Sequence, residues 1–141
     1  AAGGTNENIT LTPSGTGYTL LNGNVGIGTN SPNSKLEIAS GSLTTAFSDV
    51  SAATVDFSTA NVIRTSATAG TLTLSNMRDG TSYTLILSGT GTYTLSGSSV
   101  PTWRCSPACP TAQIYNDSGH ALITILKTGT SAYVSYIVEM Q

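Results

Sequence analysis

Three neighbouring residues have the side-chain types of a hydrolytic triad: Asp117, Ser118 and His120. They fall within one short turn segment that starts at Asn116 and includes Gly119, where successive side chains diverge instead of forming a relay from acid to histidine to hydroxyl. The other acidic residues are scattered singly, so no spacing places two carboxylates together for glycoside cleavage. The sequence therefore predicts a protein that is not an enzyme.

The two cysteines are the next groups with chemical potential. Cys105 and Cys109 flank Pro107, and a turn bent by proline can bring their Cα atoms within the roughly 4.4 to 6.8 Å that a disulfide requires. A tetrahedral zinc site needs four ligands, and His120 would have to come from a distant loop. We therefore predict a local Cys105–Cys109 disulfide, with two reduced thiols as the alternative, and neither a metal nor a cofactor.

Trp103 and Arg104 precede the first cysteine and are the leading binding candidates. An indole face and a forked guanidinium donor on a restricted backbone are common in recognition surfaces. The alternative is that Trp103 belongs to the core and Arg104 shields its edge. Two further loops are candidates. The predicted ligand-binding residues are Trp103, Arg104, Asn116, His120 and Arg78.

Composition restricts both the fold and the partners. Charged residues make up 9% of the 141 residues, against roughly 25% in an average soluble domain. Sparse charge with 15 Gly and many Thr, Val, Ile and Tyr favours pleated strands joined by tight turns. A net charge of −2 with five basic residues provides no patch for phosphates, so we expect an all-β protein that does not bind nucleic acid.

Clear strand patterns begin at Val55 and indicate a globular head over residues 55–141. Asp79-Gly80 and Gly89-Thr90-Gly91 read as hairpin turns that join three consecutive strands into a meander. We predict a small antiparallel, jelly-roll-like β-sandwich. Residues 41–54, rich in Ser, Thr and Ala, fit either a linker or one short helix. The predicted strands are Val55–Phe57, Asn61–Thr65, Thr71–Ser75, Tyr83–Leu87, Thr92–Leu95, Ala121–Lys127 and Tyr133–Met140.

The last two predicted strands have large apolar side chains on both faces. In 122–126 and in 133–140 neither face is polar throughout, whereas a head of this size offers a single interior. We predict that the second face packs against another protomer around a threefold axis. The alternative is a strand covered by a loop of the same chain.

Residues 1–40 lack any apolar stretch long enough to bury itself. Between Asn8 and Ile38 short apolar pieces are separated every few residues by Gly, Asn, Ser or Pro. Such pieces fit a shaft in which partner chains supply the rest of a shared interior. Gly23, Gly26 and Gly28 permit positive φ and close backbone approach, and the glycine spacing fits no phosphate-binding loop.

The run from Gly23 to Ile38, GNVGIGTNSPNSKLEI, resembles a segment that recurs in phage tail fibres and in bacterial surface fibres, including the mosaic adhesive trimer proteins of predatory bacteria. The resemblance implies a homotrimeric extracellular fibre, on a cell surface or a virion, whose downstream domain contacts a host or prey surface. We therefore expect a fibre tip that binds a cell-surface glycan or another envelope component. The alternative is a structural trimerisation cap without a ligand of its own.

Overall fold

A computed structural model describes residues 10–97, 102–105, 113–116 and 120–140, with the backbone alone at Thr102, Cys105 and 138–140. Throughout these ranges the chain is all-β, as predicted, and contains no helix. The chain divides into two compact units, Ala1–Thr44 and Thr45–Gln141.

The first unit is organised around the glycine-rich motif. Strands β1 (Val25–Ile27) and β2 (Leu36–Ile38) pair in parallel, and the backbone N–H of Val25 donates to Lys35 O at 2.9 Å. Their connecting loop is tight: a Cβ at Gly26 would stand 2.4 Å from Thr29 O. Gly26 is therefore required by close approach within one chain.

The second unit contains ten strands in its described part, arranged in two sheets. The four-stranded sheet has the order β10-β8-β6-β4, and the six-stranded sheet has the order β3-β5-β7-β11-β12-β9. The strands are β3 (Phe47–Val50), β4 (Thr54–Asp56), β5 (Val62–Thr65), β6 (Gly70–Ser75), β7 (Thr81–Leu87), β8 (Gly91–Gly97), β9 (Thr102–Cys105), β10 (Gln113–Asn116), β11 (His120–Thr128) and β12 (Ser131–Met140).

Strands β3 to β8 alternate between the two sheets, so each strand pairs in parallel with the strand two places along the chain. The two-sheet class is confirmed, but the predicted three-stranded meander is wrong. The turn at Gly80 (φ 73°) leads from one sheet to the other, and its N–H donates to Lys127 O at 2.8 Å. An alternating pattern defines the two faces of a strand, and it does not define the neighbouring strand.

The end of the chain follows the antiparallel expectation. Strands β11 and β12 form a hairpin, and β11 also pairs antiparallel with β7. Strand β9 joins the outer side of β12 in parallel, and β10 pairs antiparallel with β8. In the segment 41–54, left open between linker and helix, residues Phe47–Val50 form an edge strand of the six-stranded sheet.

One apolar core lies between the two sheets. Inward side chains from both sheets form a single buried cluster, and the Phe57 and Tyr83 rings pack at a centroid distance of 4.5 Å. Burying such side chains stabilises the fold by about 1.5–3 kcal/mol each. The largest fully buried apolar members are Tyr93, Ile63, Leu72, Leu74, Leu85, Leu87, Ile114, Ile123, Ile125 and Val55.

Candidate functional site

Trp103 and Arg104 lie on the edge strand β9, next to β12. Trp103 is half-buried and packs against the core cluster, in register with Ala132. Arg104 is exposed and stands beside Tyr133, which is also exposed. The structure thus places part of the indole in the fold and leaves the guanidinium in solvent.

Arg78 lies in the connection from β6 to β7, and its side chain is exposed. Its backbone N–H donates to the Tyr83 hydroxyl at 2.6 Å. Beside it, Asp79 accepts a hydrogen bond from the buried Lys127 ammonium at 2.6 Å, and Lys127 also donates to the carbonyl oxygen of Gly129. These contacts hold the connection against the β11–β12 turn.

Asn116 and His120 lie at the opposite end of the sandwich. Asn116 is fully buried, and its Nδ2 donates to Gly89 O at 2.6 Å, which ties the β7–β8 turn to β10. His120 is exposed at the first position of β11. The residues between them, including Asp117 and Ser118, lie outside the described residues.

The five predicted ligand-binding residues therefore do not form one site. The strand directions place Arg78 and Trp103 near the end that carries the β11–β12 turn, and Asn116 and His120 at the other. The predicted Cys105–Cys109 disulfide lies outside the described residues, since Cys109 and the side chain of Cys105 are not described.

The outward face of the six-stranded sheet is rich in apolar side chains. Phe47 is 57% exposed and Ile137 60% exposed, although both lie on strands. Strand register brings Ile86, Leu122 and Ile137 into one row across β7, β11 and β12. We call the set the apolar face, which consists of Phe47, Val62, Ile86, Leu122, Leu126, Tyr133 and Ile137.

An ion pair borders the apolar face on β3 and β5. Arg64 Nε donates to Asp49 Oδ2 at 3.1 Å, and the two residues are directly paired across the strands. The hydrogen bond from Arg64 lowers the pKa of the Asp49 carboxyl, and the same contact raises the pKa of Arg64. Both side chains are 44% exposed, so solvent screens their attraction.

The outward face of the four-stranded sheet has no aliphatic side chain on its described strands, whereas the six-stranded sheet combines its apolar side chains with one hydroxyl row, Thr84, Thr124 and Ser135. The outward side chains of the four-stranded sheet are mostly hydroxyls, and register aligns them in rows: Thr54, Thr73 and Ser96 form one row.

We call this set of outward side chains the hydroxyl face, which consists of Thr54, Thr71, Thr73, Thr92, Thr94, Ser96, Gln113 and Tyr115. Its hydroxyls have no hydrogen-bond partner among the described residues. The paired residues Asp56 and Ser75 lie on the same side of the sheet but are engaged in hydrogen bonds with Asn76 and with the Val55 carbonyl oxygen.

Sequence reasoning did not single out the hydroxyl face. The signal was the alternation in Thr71-Leu72-Thr73 and in Thr92-Tyr93-Thr94, which places two hydroxyls of each segment on one side of a strand. Tyr115, 62% exposed at the edge of this face, lies on a strand that was not predicted.

The described ranges contain no group of three His, Cys, Asp or Glu residues positioned to hold a metal ion. Nor do these ranges include a helix with the length and hydrophobicity needed to cross a membrane. No protein-family model, no curated protein and no solved structure matches this chain.

Proposed function

We propose that this chain is a shaft segment and the tip of a trimeric surface fibre that binds a receptor on a host or prey cell. The observation that carries the proposal is the lack of a core in the described part of the first unit, 10–44. Among the described residues, every fully buried apolar side chain lies at Val55 or beyond, whereas Tyr18 is 85% and Leu20 is 78% exposed. Apolar side chains of this size are normally covered, and further copies of the chain provide the cover.

The apolar face supports the same assembly in the second unit. Its row of Ile86, Leu122 and Ile137 crosses three strands of a sheet that already buries its other face. An outward apolar row of this kind is typical of an interaction site. In a closed cyclic trimer each protomer contributes equivalent surfaces, so no apolar patch remains open to further growth.

A non-catalytic binding role fits the chemistry of the described residues. Acidic side chains there are engaged in structural contacts: Asp49 with Arg64, Asp56 with Asn76, and Asp79 with Lys127. Fibre tips work by contact, and threefold repetition strengthens a weak contact through avidity.

A structural trimerisation cap is the second candidate, and specific observations favour it. Asn116 is fully buried and Trp103 packs against the core, so two residues with the side chains of a recognition surface have structural roles. Both candidates are trimeric, and they differ only in whether the head binds a receptor.

Assembly is tested by multi-angle light scattering at micromolar protein concentration. We expect a mass three times the 14.4 kDa of one chain. Ile137→Glu on the apolar face should dissociate the assembly, since it places a charge in an apolar interface. Thr92→Glu, an exposed strand position on the other outer face, is the matched control and should leave the mass unchanged. A folded monomer in the parent protein would refute the trimer.

Receptor binding is tested with the labelled parent protein on a panel of bacterial cells. Saturable binding to some cells and not to others is expected of the tip. A stable trimer that binds no cell in the panel would reject the tip in favour of the cap.

A further inference from the structure

We propose that the hydroxyl face is a platform for a neutral, extended polysaccharide chain, an inference that rests on the proposed receptor-binding function and names its ligand class. The face lies on the outside of the four-stranded sheet and continues over β4, β6, β8 and β10. None of its side chains belongs to the buried core or to the five predicted ligand-binding residues.

The outward hydroxyls of this face form regular rows and bond no other described residue. Thr71, Thr94 and Gln113 form one row across three strands, and Thr54, Thr73 and Ser96 form another. Neighbours within a row are spaced by about 4.8 Å and successive rows by about 6.6 Å, as the pleated sheet dictates. Threonine on a strand has restricted χ1 freedom, so little entropy is lost when these groups bind a ligand.

The eight side chains of the face are hydroxyls, one amide and one phenol, and none is formally charged. The charged residue on the same side of the described four-stranded sheet is Asp56, which accepts a hydrogen bond from Asn76 and adds negative charge, not positive. Phosphate-bearing and other anionic ligands require Arg or Lys, which the face does not provide. A neutral ligand with many hydroxyl groups is complementary to such a surface, because each partner offers both donors and acceptors.

The placement of the large apolar and aromatic side chains favours a carbohydrate over a protein partner. Protein interfaces depend on buried apolar and aromatic anchors, which in this unit lie on the apolar face of the opposite sheet. The hydroxyl face has one large aromatic side chain, Tyr115, exposed at its edge beside Gln113. A single ring beside rows of polar groups offers a stacking position for one sugar ring and hydrogen bonds for its neighbours.

Binding is tested with the 141-residue parent protein on insoluble cellulose, chitin and cross-linked dextran, with cellohexaose and chitohexaose as soluble probes in calorimetry. Alginate and heparin are the polyanionic comparison. We expect binding to at least one neutral polysaccharide and none to the polyanions.

Variants then locate the site. Thr71→Val with Thr94→Val removes two hydroxyls and keeps the side-chain volume, and we expect affinity to fall about tenfold or more. Tyr115→Ala should weaken binding by about tenfold through loss of stacking. Thr128→Val, an exposed strand threonine of the other sheet, is the matched control and should bind like the parent. Circular dichroism melting confirms that each variant is folded.

The inference is overturned if no neutral polysaccharide binds, if the polyanions bind instead, or if the variants of the hydroxyl face bind as well as the parent. Failure of the fibre-tip function gives a different pattern of binding results from failure of the hydroxyl-face site. If the parent trimer binds cells and the Thr71→Val, Thr94→Val variant binds them equally, the fibre-tip function stands and the hydroxyl face is excluded. If polysaccharides bind through this face but no cell does, the tip function fails.

Discussion

Removal of the Asp79 carboxylate should destabilise the head far more than removal of the Asp49 carboxylate, although each forms one ion pair. Lys127 is the buried member of its pair, with a side chain 5% exposed, while Asp79 is 65% exposed. Asp79→Ala leaves a buried ammonium with the Gly129 carbonyl as its remaining acceptor. Asp49→Ala leaves Arg64, which is 44% exposed and can be solvated.

The magnitude follows from this difference in burial. A charge-assisted hydrogen bond to a buried group contributes about 1.5–3 kcal/mol, and the figure stays below that for a fully buried pair because water reaches Asp79. For the exposed Asp49–Arg64 pair the expected loss of stability is much smaller, because solvent screens the attraction and can solvate the charge that remains. In a domain of this size about 2 kcal/mol corresponds to a decrease in Tm of roughly 8–15 °C.

Lys127→Met provides the decisive third variant. It removes the buried charge and keeps an aliphatic side chain, while Asp79 is left in solvent, so we expect a loss of stability within about 1 kcal/mol. Thermal denaturation by circular dichroism, with all proteins at one concentration because assembly couples to stability, compares the three variants. The reasoning is refuted if Asp79→Ala melts with Asp49→Ala, or if Lys127→Met is the least stable.

Four further outcomes are expected. Trp103→Ala should lower stability by about 1.5–3 kcal/mol because the partly buried indole packs on the core; an unchanged melting curve would contradict that role. Asn76 has φ of 57°, so the free energy of unfolding of Asn76→Ala should be about 1 kcal/mol lower than that of Asn76→Gly. Equal melting temperatures of the two variants would exclude backbone strain. Hydrogen bonds from Asn76 and from the Ser58 backbone lower the pKa of Asp56 from 3.8. The contribution of the Asp56 carboxylate to stability is therefore complete above pH 3.8 and is lost on acidification through the lower folded pKa. Asp56→Asn should flatten the acid limb of a stability–pH curve, and an unaltered limb would contradict this contribution. Gly26→Ala should increase amide hydrogen exchange across β1 and β2, whereas Gly23→Ala, where a Cβ meets nothing within 4 Å, should not; equal exchange would contradict the close approach.

Strand positions in the head were largely readable from the sequence. The alternation of apolar and hydroxyl residues predicted β5 to β8, β11 and β12 with ends within two residues of those observed. Strand pairing was not readable, since register follows from contacts between distant segments. Phe47 pairs with Val62, and Val62 pairs with Thr84. The chain segments between consecutive paired residues therefore differ in length, and the sequence has no fixed period that would reveal the pairing.

The candidate surfaces were predicted only in part. Two-faced apolar strands correctly indicated outward side chains such as Leu122 and Ile137, because a single interior cannot accept both faces. Asn116 was assigned to a turn and to the ligand-binding residues, yet it is the buried end of β10. Turn-forming residues such as asparagine also satisfy buried backbone carbonyls, and the sequence alone does not distinguish the two uses.

The two outer faces of the sandwich together suggest how recognition and assembly are kept apart. They lie on opposite sides of one core, so a trimer that turns its apolar faces inward must turn its hydroxyl faces outward. In the proposed trimer each hydroxyl face would engage a polymer through neutral hydrogen bonds that are individually weak in water. Three identical faces would raise the apparent affinity for a polymeric surface by about 10²–10⁴ where the geometry allows simultaneous contact. On each sheet the outward residues alternate with core residues along the strands. Substitutions on either outer face can therefore change assembly or recognition without altering the core that positions both faces.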